Sequence, residues 1–468
     1  MKTKKIISLL SAGTLFLASV SMGACGEKEV TLAPTHEVEP VYAYTFDQFS
    51  SDTMPIGAYI GPFGDYSYNG TYMESLVTDE QYATANECGL NFFAAMKQDY
   101  NVNREETMLS LDLAARNEMV LFIGDSYLYN LKRGEMREAV DVEAFKARVA
   151  AYENHQGFAG LIGRDEPFGF ELAACGDVQD RFNEVFDIHS STALYMNANG
   201  VQCPAGWFSG GPDYALGHDV VWTLEQYLEE YLKELSGAKF FSYDVYPFYG
   251  GTVRSGYLQN LKLVRDMTLE AEIPFWGFIQ GGGYYDNDDA WDFPTEGGLM
   301  WNVSTTLAFG AKGYQYFPYC HPAEFTIAPS GASSLIGRYG EKTASWYYAQ
   351  RANKQTKAID HVLMNAAHMG VIAHGASPSV IPEGMLETYR ELTKVAGDDA
   401  LVGCFDYKGK TALYVVNNSV TKDKAKINLS FNGVYEYEVI QNAVSTTVQG
   451  DTVTLTFSPG EGALVVLK

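Results

Sequence analysis

Asp165 and Glu166 stand side by side in Gly163-Arg164-Asp165-Glu166-Pro167, directly after the apolar run Phe158 to Ile162. A buried strand that ends on two carboxyl groups offers a proton donor and a proton acceptor on a rigid support, as general acid/base chemistry requires. One strand cannot build a site alone, so the elements that would surround it matter. Short apolar runs alternate along the chain with stretches of helical period, the mark of repeated strand-helix units and a parallel sheet. The expected strands are Pro55 to Phe63, Leu90 to Gln98, Met119 to Tyr127, Phe158 to Glu166, Thr192 to Asn199, Lys239 to Phe248, Pro274 to Gln280 and Gly313 to Tyr319. Helices are expected at about 81–88, 103–117, 142–154, 170–188, 225–236, 254–271, 297–310 and 341–362. Eight such units form a (β/α)8 barrel, in which the strand C-terminal ends carry the chemistry. An open doubly wound sheet would place a phosphate-binding turn after the first strand, and Gly57, Gly61 and Gly64 lack its spacing.

The strand ends then collect Asp99, Asp125, Asp165 with Glu166, Asn197 with Asn199, Asp244 with Tyr246, Gln280, and Tyr316 with Tyr319. This rim is acidic, amide-rich and aromatic, without a histidine cluster or a phosphate loop. Metal-dependent hydrolysis and nucleotide chemistry therefore fit poorly, and no metal or cofactor is expected. Sugar hydroxyls suit carboxylates and amides, and Trp222, Trp276, Tyr284, Tyr285 and Trp291 offer faces for pyranose rings. The run Asp286 to Asp289 with Asp292 and Glu296 has Ala290 and Trp291 where a calcium loop needs an oxygen ligand and a glycine. It reads as a solvated acidic loop lining the cleft, with Gly281, Gly282 and Gly283 as its hinge.

The chain of 468 residues is 46% hydrophobic, enough for a large core and more than one domain, and its net charge of -25 disfavours nucleic acid and anionic bilayers as direct partners. Lys2, Lys4 and Lys5 precede the apolar stretch Ile6 to Val20 and the box Met22-Gly23-Ala24-Cys25, which resembles a bacterial lipoprotein cleavage site. Residues 1–24 are expected to be a signal peptide and Cys25 the lipidated residue; simple cleavage is the alternative, because Met22 replaces the usual Leu. The expectation is an exported protein, anchored by lipid at the cell surface or in the periplasm. Polar residues 25–50 read as a flexible tether. No later stretch reaches the roughly 18 apolar residues of a membrane span. Cys88, Cys175, Cys203, Cys320 and Cys404 show no metal spacing and read as thiols, with a bridge from Cys175 to Cys203 left open. The barrel is expected over residues 51–362, a connector over 363–399, and a small antiparallel β-sandwich over 400–468, where short alternating runs replace the strand-helix pattern.

Asp165-Glu166-Pro167 on the fourth strand, Tyr243-Asp244-Val245-Tyr246-Pro247 on the sixth, and the stretch from Pro294-Thr295-Glu296 to Gly313-Tyr314 resemble clan A glycoside hydrolases. Within that clan, the barrel is most similar to family 42 type β-galactosidases and related exported proteins, over roughly residues 55–362. The resemblance implies an exported hydrolase of oligo- or polysaccharides with Glu166 as acid/base, and Asp165 stands where the clan commonly has Asn. An ionised Asp165 would raise the pKa of Glu166, while Arg164, on the same face by strand alternation, would pair with one carboxylate and oppose that shift. The seventh strand departs from the clan: it ends Phe278-Ile279-Gln280-Gly281 where a nucleophilic Glu is usual, and an amide cannot serve as that nucleophile. Asp244, Glu296 or an acetamido group of the substrate could take its place, and Asp244 is preferred as the residue on a strand. The expected catalytic residues are Glu166 and Asp244. The expected substrate contacts are Asp165, Arg164, Asn197, Asn199, Tyr246, Trp276, Gln280, Trp291, Glu296 and Tyr316. Gln280 favours an alternative, a glycan-binding protein on a barrel that has lost catalysis; the paired carboxylates favour the enzyme.

Overall fold

A computed structural model describes residues 29–43, 50–128, 140–187, 190, 192–203, 205–208, 222–286, 289–323 and 334–468. The parallel strands β1 (Ile56–Tyr59), β2 (Phe92–Asp99), β3 (Val120–Gly124), β4 (Phe158–Asp165), β5 (Ala193–Ala198), β6 (Phe241–Tyr243), β7 (Phe275–Gln280) and β8 (Gly313–Phe317) close into a barrel in sequence order. Closure comes from β1, which pairs with β2 on one side and β8 on the other. The helices α1 (Asp79–Cys88), α2 (Arg104–Arg116), α3 (Val142–Val149), α4 (Leu172–Val185), α5 (Leu224–Glu234), α6 (Tyr257–Glu270), α7 (Glu296–Ala308) and α8 (Ala344–Lys357) follow the strands in turn. Their starts are written locally: Thr78, Asn103, Asp141, Thr223 and Thr295 each accept a backbone N–H of the first turn through a side-chain oxygen.

Large aromatic rings fill the lower lumen of the barrel. Trp276 stacks on Phe240 at 3.8 Å with planes 7° apart, and Phe92 and Phe122 close around it. Small residues make room for them: a Cβ on Gly57 would lie 2.3 Å from the Phe92 ring, and one on Gly313 would lie 2.8 Å from Trp276. Trp276 is thus a core residue and not a sugar platform. It is the second residue of β7, paired in register with Ser242 and Gly313, about 13 Å below Gln280 at 3.3 Å per residue.

The C-terminal strands β9 (Ala366–His374), β10 (Leu392–Gly397), β11 (Ala400–Tyr407), β12 (Lys410–Asn417), β13 (Ala425–Gln441), β14 (Val444–Phe457) and β15 (Gly462–Leu467) form a curled antiparallel sheet, a sandwich-like domain with its own core. Alternation sorts its side chains. Leu401, Phe405, Ala412, Tyr414, Leu464 and Val466 join the barrel core, while Val402, Cys404, Leu413, Val415 and Val465 belong to the second core. The barrel element beneath is α7, in which every residue from Gly298 to Ala308 is buried, as a helix packed on two sides must be. Residues 363–399, expected as a connector, supply β9 and β10 to this sheet. Residues 29–43, expected within a flexible tether, lie along it: Thr31 N–H donates to Val434 O and His36 N–H to Gly409 O, both at 2.7 Å, and His36 Nε2 meets Glu391 Oε1 at 2.7 Å. No disulfide bridge joins Cys175 to Cys203.

Candidate active site

Glu166 follows the last residue of β4 with φ of 47°, a left-handed backbone rare for a residue with a side chain and opposed by the extended preference that Pro167 imposes. Its N–H donates to Asn197 O at 2.8 Å. Strain of this kind persists where the surroundings over-determine it. Here they do so through a knitted turn. Tyr227 OH and Asn199 Nδ2 each donate to Pro167 O at 2.9 Å, and Phe168 N–H donates to Glu171 Oε2 at 2.7 Å. Arg164 binds both Glu171 oxygens, at 3.1 and 3.3 Å. The left-handed residue breaks strand alternation, so Arg164 serves this turn and not the Asp165-Glu166 pair. Asn199 likewise holds the Pro167 carbonyl, and its Oδ1 faces Cys203 Sγ at 3.2 Å.

Asp165, Glu166 and Asp244 meet at the mouth. Asn197 Nδ2 lies 3.3 Å from Asp165 Oδ1 and 3.4 Å from Asp244 Oδ1, one amide nitrogen shared by two carboxyls. Asp244, only 4% exposed, lies close to the Glu166 and Asp165 carboxyls and to Tyr246. Ionised carboxylates only accept and repel one another, so carboxyls brought close favour a proton on one of them. Burial, then the charges of Glu166 and Asp165, hold the Asp244 carboxyl well above the usual carboxylate range. Asp244 is thus the carboxyl of this cluster inclined to hold a proton. Tyr59, buried on β1, faces Asp165; burial and then that charge keep its phenol protonated, a neutral group over the acidic pair. Above Asp244, Tyr246 packs edge-on against Trp291 at 5.0 Å and beside Phe317 at 5.4 Å. Trp291 belongs to a small sheet over the mouth, where it pairs with Tyr249 and Tyr284.

No protein-family model matches the chain, and no curated protein matches it by sequence. Solved structures do match in shape. The model superposes with a TM-score of 0.50 on a family 39 glycoside hydrolase from the gut symbiont Bacteroides cellulosilyticus, at 11% identity over 90% of this chain and 82% of that one. A β-galactosidase from Bacillus circulans sp. alkalophilus gives 0.50 at 7% identity over 89% and 99% of the two chains, and a further glycoside hydrolase gives 0.50 at 11% over 94% and 99%. The fold is that of the clan A glycoside hydrolases.

On this glycosidase-like barrel the seventh-strand position is committed elsewhere. Gln280, 1% exposed, accepts Phe248 N–H at 2.8 Å and donates to Phe248 O at 3.0 Å and Asp292 O at 2.8 Å. Its amide pins two mouth segments to β7 and is not offered to a ligand. The substitution Gln280→Glu removes both donors and sets a charge against two carbonyls, so the variant is expected to lose about 3 kcal/mol of stability without gaining activity. Calorimetry and a turnover assay check this; a Gln280→Glu protein as stable as wild type and more active would return the nucleophile to β7. Glu296 begins α7 and pairs with Arg351 of α8 at 2.7 Å, outside the mouth. Tyr316 points outward to α8, where its hydroxyl donates to Asn353 Oδ1 at 2.7 Å. Asp125, at the end of β3, is held by Arg148 at 2.8 and 3.2 Å and by Tyr152 at 2.9 Å. Cys25 lies outside the described residues.

Of the expected residues, Asp165, Glu166, Asn197, Asp244, Tyr246 and Trp291 come together. Arg164, Asn199 and Gln280 brace the rim, and Trp276, Tyr316 and Glu296 lie away from it. Sequence reasoning did not single out Tyr59, Tyr195, Ser242, Gln315 or Glu171. Ser242 and Gln315 did carry a signal, as polar residues inside apolar strands that a packed interior admits only with partners.

Proposed function

We propose that the protein is a glycoside hydrolase in which Glu166 and Asp244 work as a pair on a carbohydrate substrate. The observation that carries the reading is the clustering of carboxyls at the C-terminal mouth of the barrel, where Asn197 Nδ2 lies between Asp165 and Asp244 and the charge of Glu166 helps raise the Asp244 pKa. The proton moves from Asp244 to Glu166, which gives it to the departing glycosidic oxygen. Asp244, now a carboxylate, attacks the anomeric carbon and forms a glycosyl ester. Glu166 then takes a proton from water, the resulting hydroxide attacks the same carbon, and Asp244 leaves. One proton thus serves both roles. A covalent glycosyl ester formed on Asp244 and then displaced by water inverts the anomeric carbon twice, so products with retained anomeric configuration are expected. Purified wild-type protein on a panel of plant and host glycans, with anomers followed by NMR, tests this. An inverted product would remove Asp244 as nucleophile, and no product from any glycan would remove the enzyme.

The structural use of Gln280 favours the second reading, a glycan-binding protein without turnover, which predicts binding on that panel and no release. Export and lipid anchoring remain part of the proposal on the strength of Lys2 to Cys25. Changing Cys25 to Ser is expected to abolish incorporation of labelled fatty acid and to move the protein out of the membrane fraction; labelling retained in that variant would exclude Cys25 as the anchor.

A further inference from the structure

Beneath the carboxyl cluster, a chain of hydrogen bonds runs in one direction. Asn197 Oδ1 is 2.9 Å from Ser242 Oγ, which is 3.0 Å from Gln315 Nε2 and 3.2 Å from the Tyr195 hydroxyl. An amide oxygen only accepts and an amide nitrogen only donates, and serine has a single proton. That proton meets Asn197 Oδ1, so Gln315 and Tyr195 both donate into Ser242 Oγ. Turning the Asn197 amide over would set its oxygen against the Asp165 carboxylate, which disfavours that orientation. None of the four residues is more than 2% exposed, and in such an interior each bond polarises the next. They come from β5, β6 and β8. Ser242 pairs in register with Asn197, so closure of the barrel sets the geometry of the chain.

We propose that Ser242 and Asn197 are positioning residues: the chain from Gln315 and Tyr195 through Ser242 locks the Asn197 amide so that its nitrogen ties Asp165 to Asp244 and keeps Asp244 against Glu166. This rests on reading Glu166 and Asp244 as the working pair. Without the Ser242 proton, Asn197 Oδ1 loses its partner beneath, the amide is held only from the carboxyl side, and its donation to Asp244 weakens. A donor to the charged form lowers a carboxyl pKa, so its loss raises it. The groups that face Asp244 are Glu166 and Asp165 of the β4 turn, the Asn197 amide and Tyr195 hydroxyl of β5, and Tyr243 and Tyr246 of its own segment.

The test is Ser242→Ala and Ser242→Thr in the full chain, with the Asp244 carboxyl followed by carbon NMR and assigned by its disappearance in Asp244→Asn. In Ser242→Ala, the Asp244 midpoint is expected to rise by about one pH unit. On any glycan the wild type turns over, kcat is expected to fall about tenfold with little change in KM, because the pair is misplaced and not removed. Ser242→Thr keeps the hydroxyl and is expected to restore both. A folded Ser242→Ala protein that titrates as wild type overturns the proposal, as does Ser242→Thr behaving like Ser242→Ala. If Ser242→Ala does not fold, Tyr195→Phe removes one donor at the far end of the chain. It is then expected to shift Asp244 upward by less, and an unchanged midpoint overturns the proposal. The titration needs no turnover, so a wild type without activity would sink the hydrolase reading while still deciding this one.

Discussion

Changing Glu166 to Gln is expected to lower kcat on natural glycans by about 10³-fold, within the range that a positioned acid/base group contributes. Glutamine keeps the shape of the side chain and the left-handed backbone is no harder for it to adopt, so thermal stability should change little. What is lost is the group that passes a proton to the leaving oxygen and later takes one from water. The loss should therefore depend on the leaving group. An aryl glycoside whose phenolate departs without a proton is expected to retain much of its first step, and the glycosyl intermediate should accumulate as a burst. Rates on natural and activated substrates, measured together, check this. Glu166→Gln activity within about threefold of wild type on a natural glycan would rule out the acid/base role, since even modest general acid catalysis exceeds that.

Asp244→Asn is expected to remove turnover as well, and to make the protein more stable. Asp244 is held well above the usual carboxylate range by burial and by Glu166 and Asp165. The sign follows from proton uptake. Above the unfolded carboxyl pKa of about 3.9, the folded protein holds a proton that the unfolded chain has released, so stability falls as pH rises, by about 1.4 kcal/mol per pH unit until the folded pKa is passed. Asparagine does not titrate and can still receive the Asn197 and Tyr246 donors on its oxygen. The gap in melting temperature between the variant and wild type should thus be small near pH 4 and widen toward neutrality. A gap independent of pH would show that Asp244 is not the protonated member of the pair. A site that weakens its own fold in this way is an ordinary cost of function.

Much of this site was legible as position, and much less of it as role. The apolar run Phe158 to Ile162 placed Asp165 and Glu166 at a strand end, and the run into Tyr243 did the same for Asp244, because strand ends are where such runs meet polar residues. The strand β8, Gly313–Phe317, is buried on both faces, as parallel strands are when covered on both sides. A pattern without alternation has no phase, so Tyr316 was taken for a rim residue although Gln315 is the one that faces the lumen. Arg164 failed for a different reason: alternation was carried one residue too far, past the left-handed turn at Glu166. Residues 29–43 looked like a tether because Glu29, Glu37, Glu39 and two prolines interrupt them, yet backbone hydrogen bonds dock them, and composition does not report those.

What the sequence by itself determined is the order of eight strand-helix units, the sheet domain after them, and the presence of carboxyls at the fourth and sixth strand ends. These follow from periodicity and local starts and stops, which neighbouring residues write into the chain. Only the tertiary structure decided which side chains share the mouth, because that depends on barrel register and on a single strained turn. It also decided that Gln280 is used up on backbone groups and that one amide nitrogen serves both Asp165 and Asp244. Above all it decided which carboxyl is inclined to hold a proton, because burial and the charge of neighbours distant in sequence belong to the packed whole and to no segment of it.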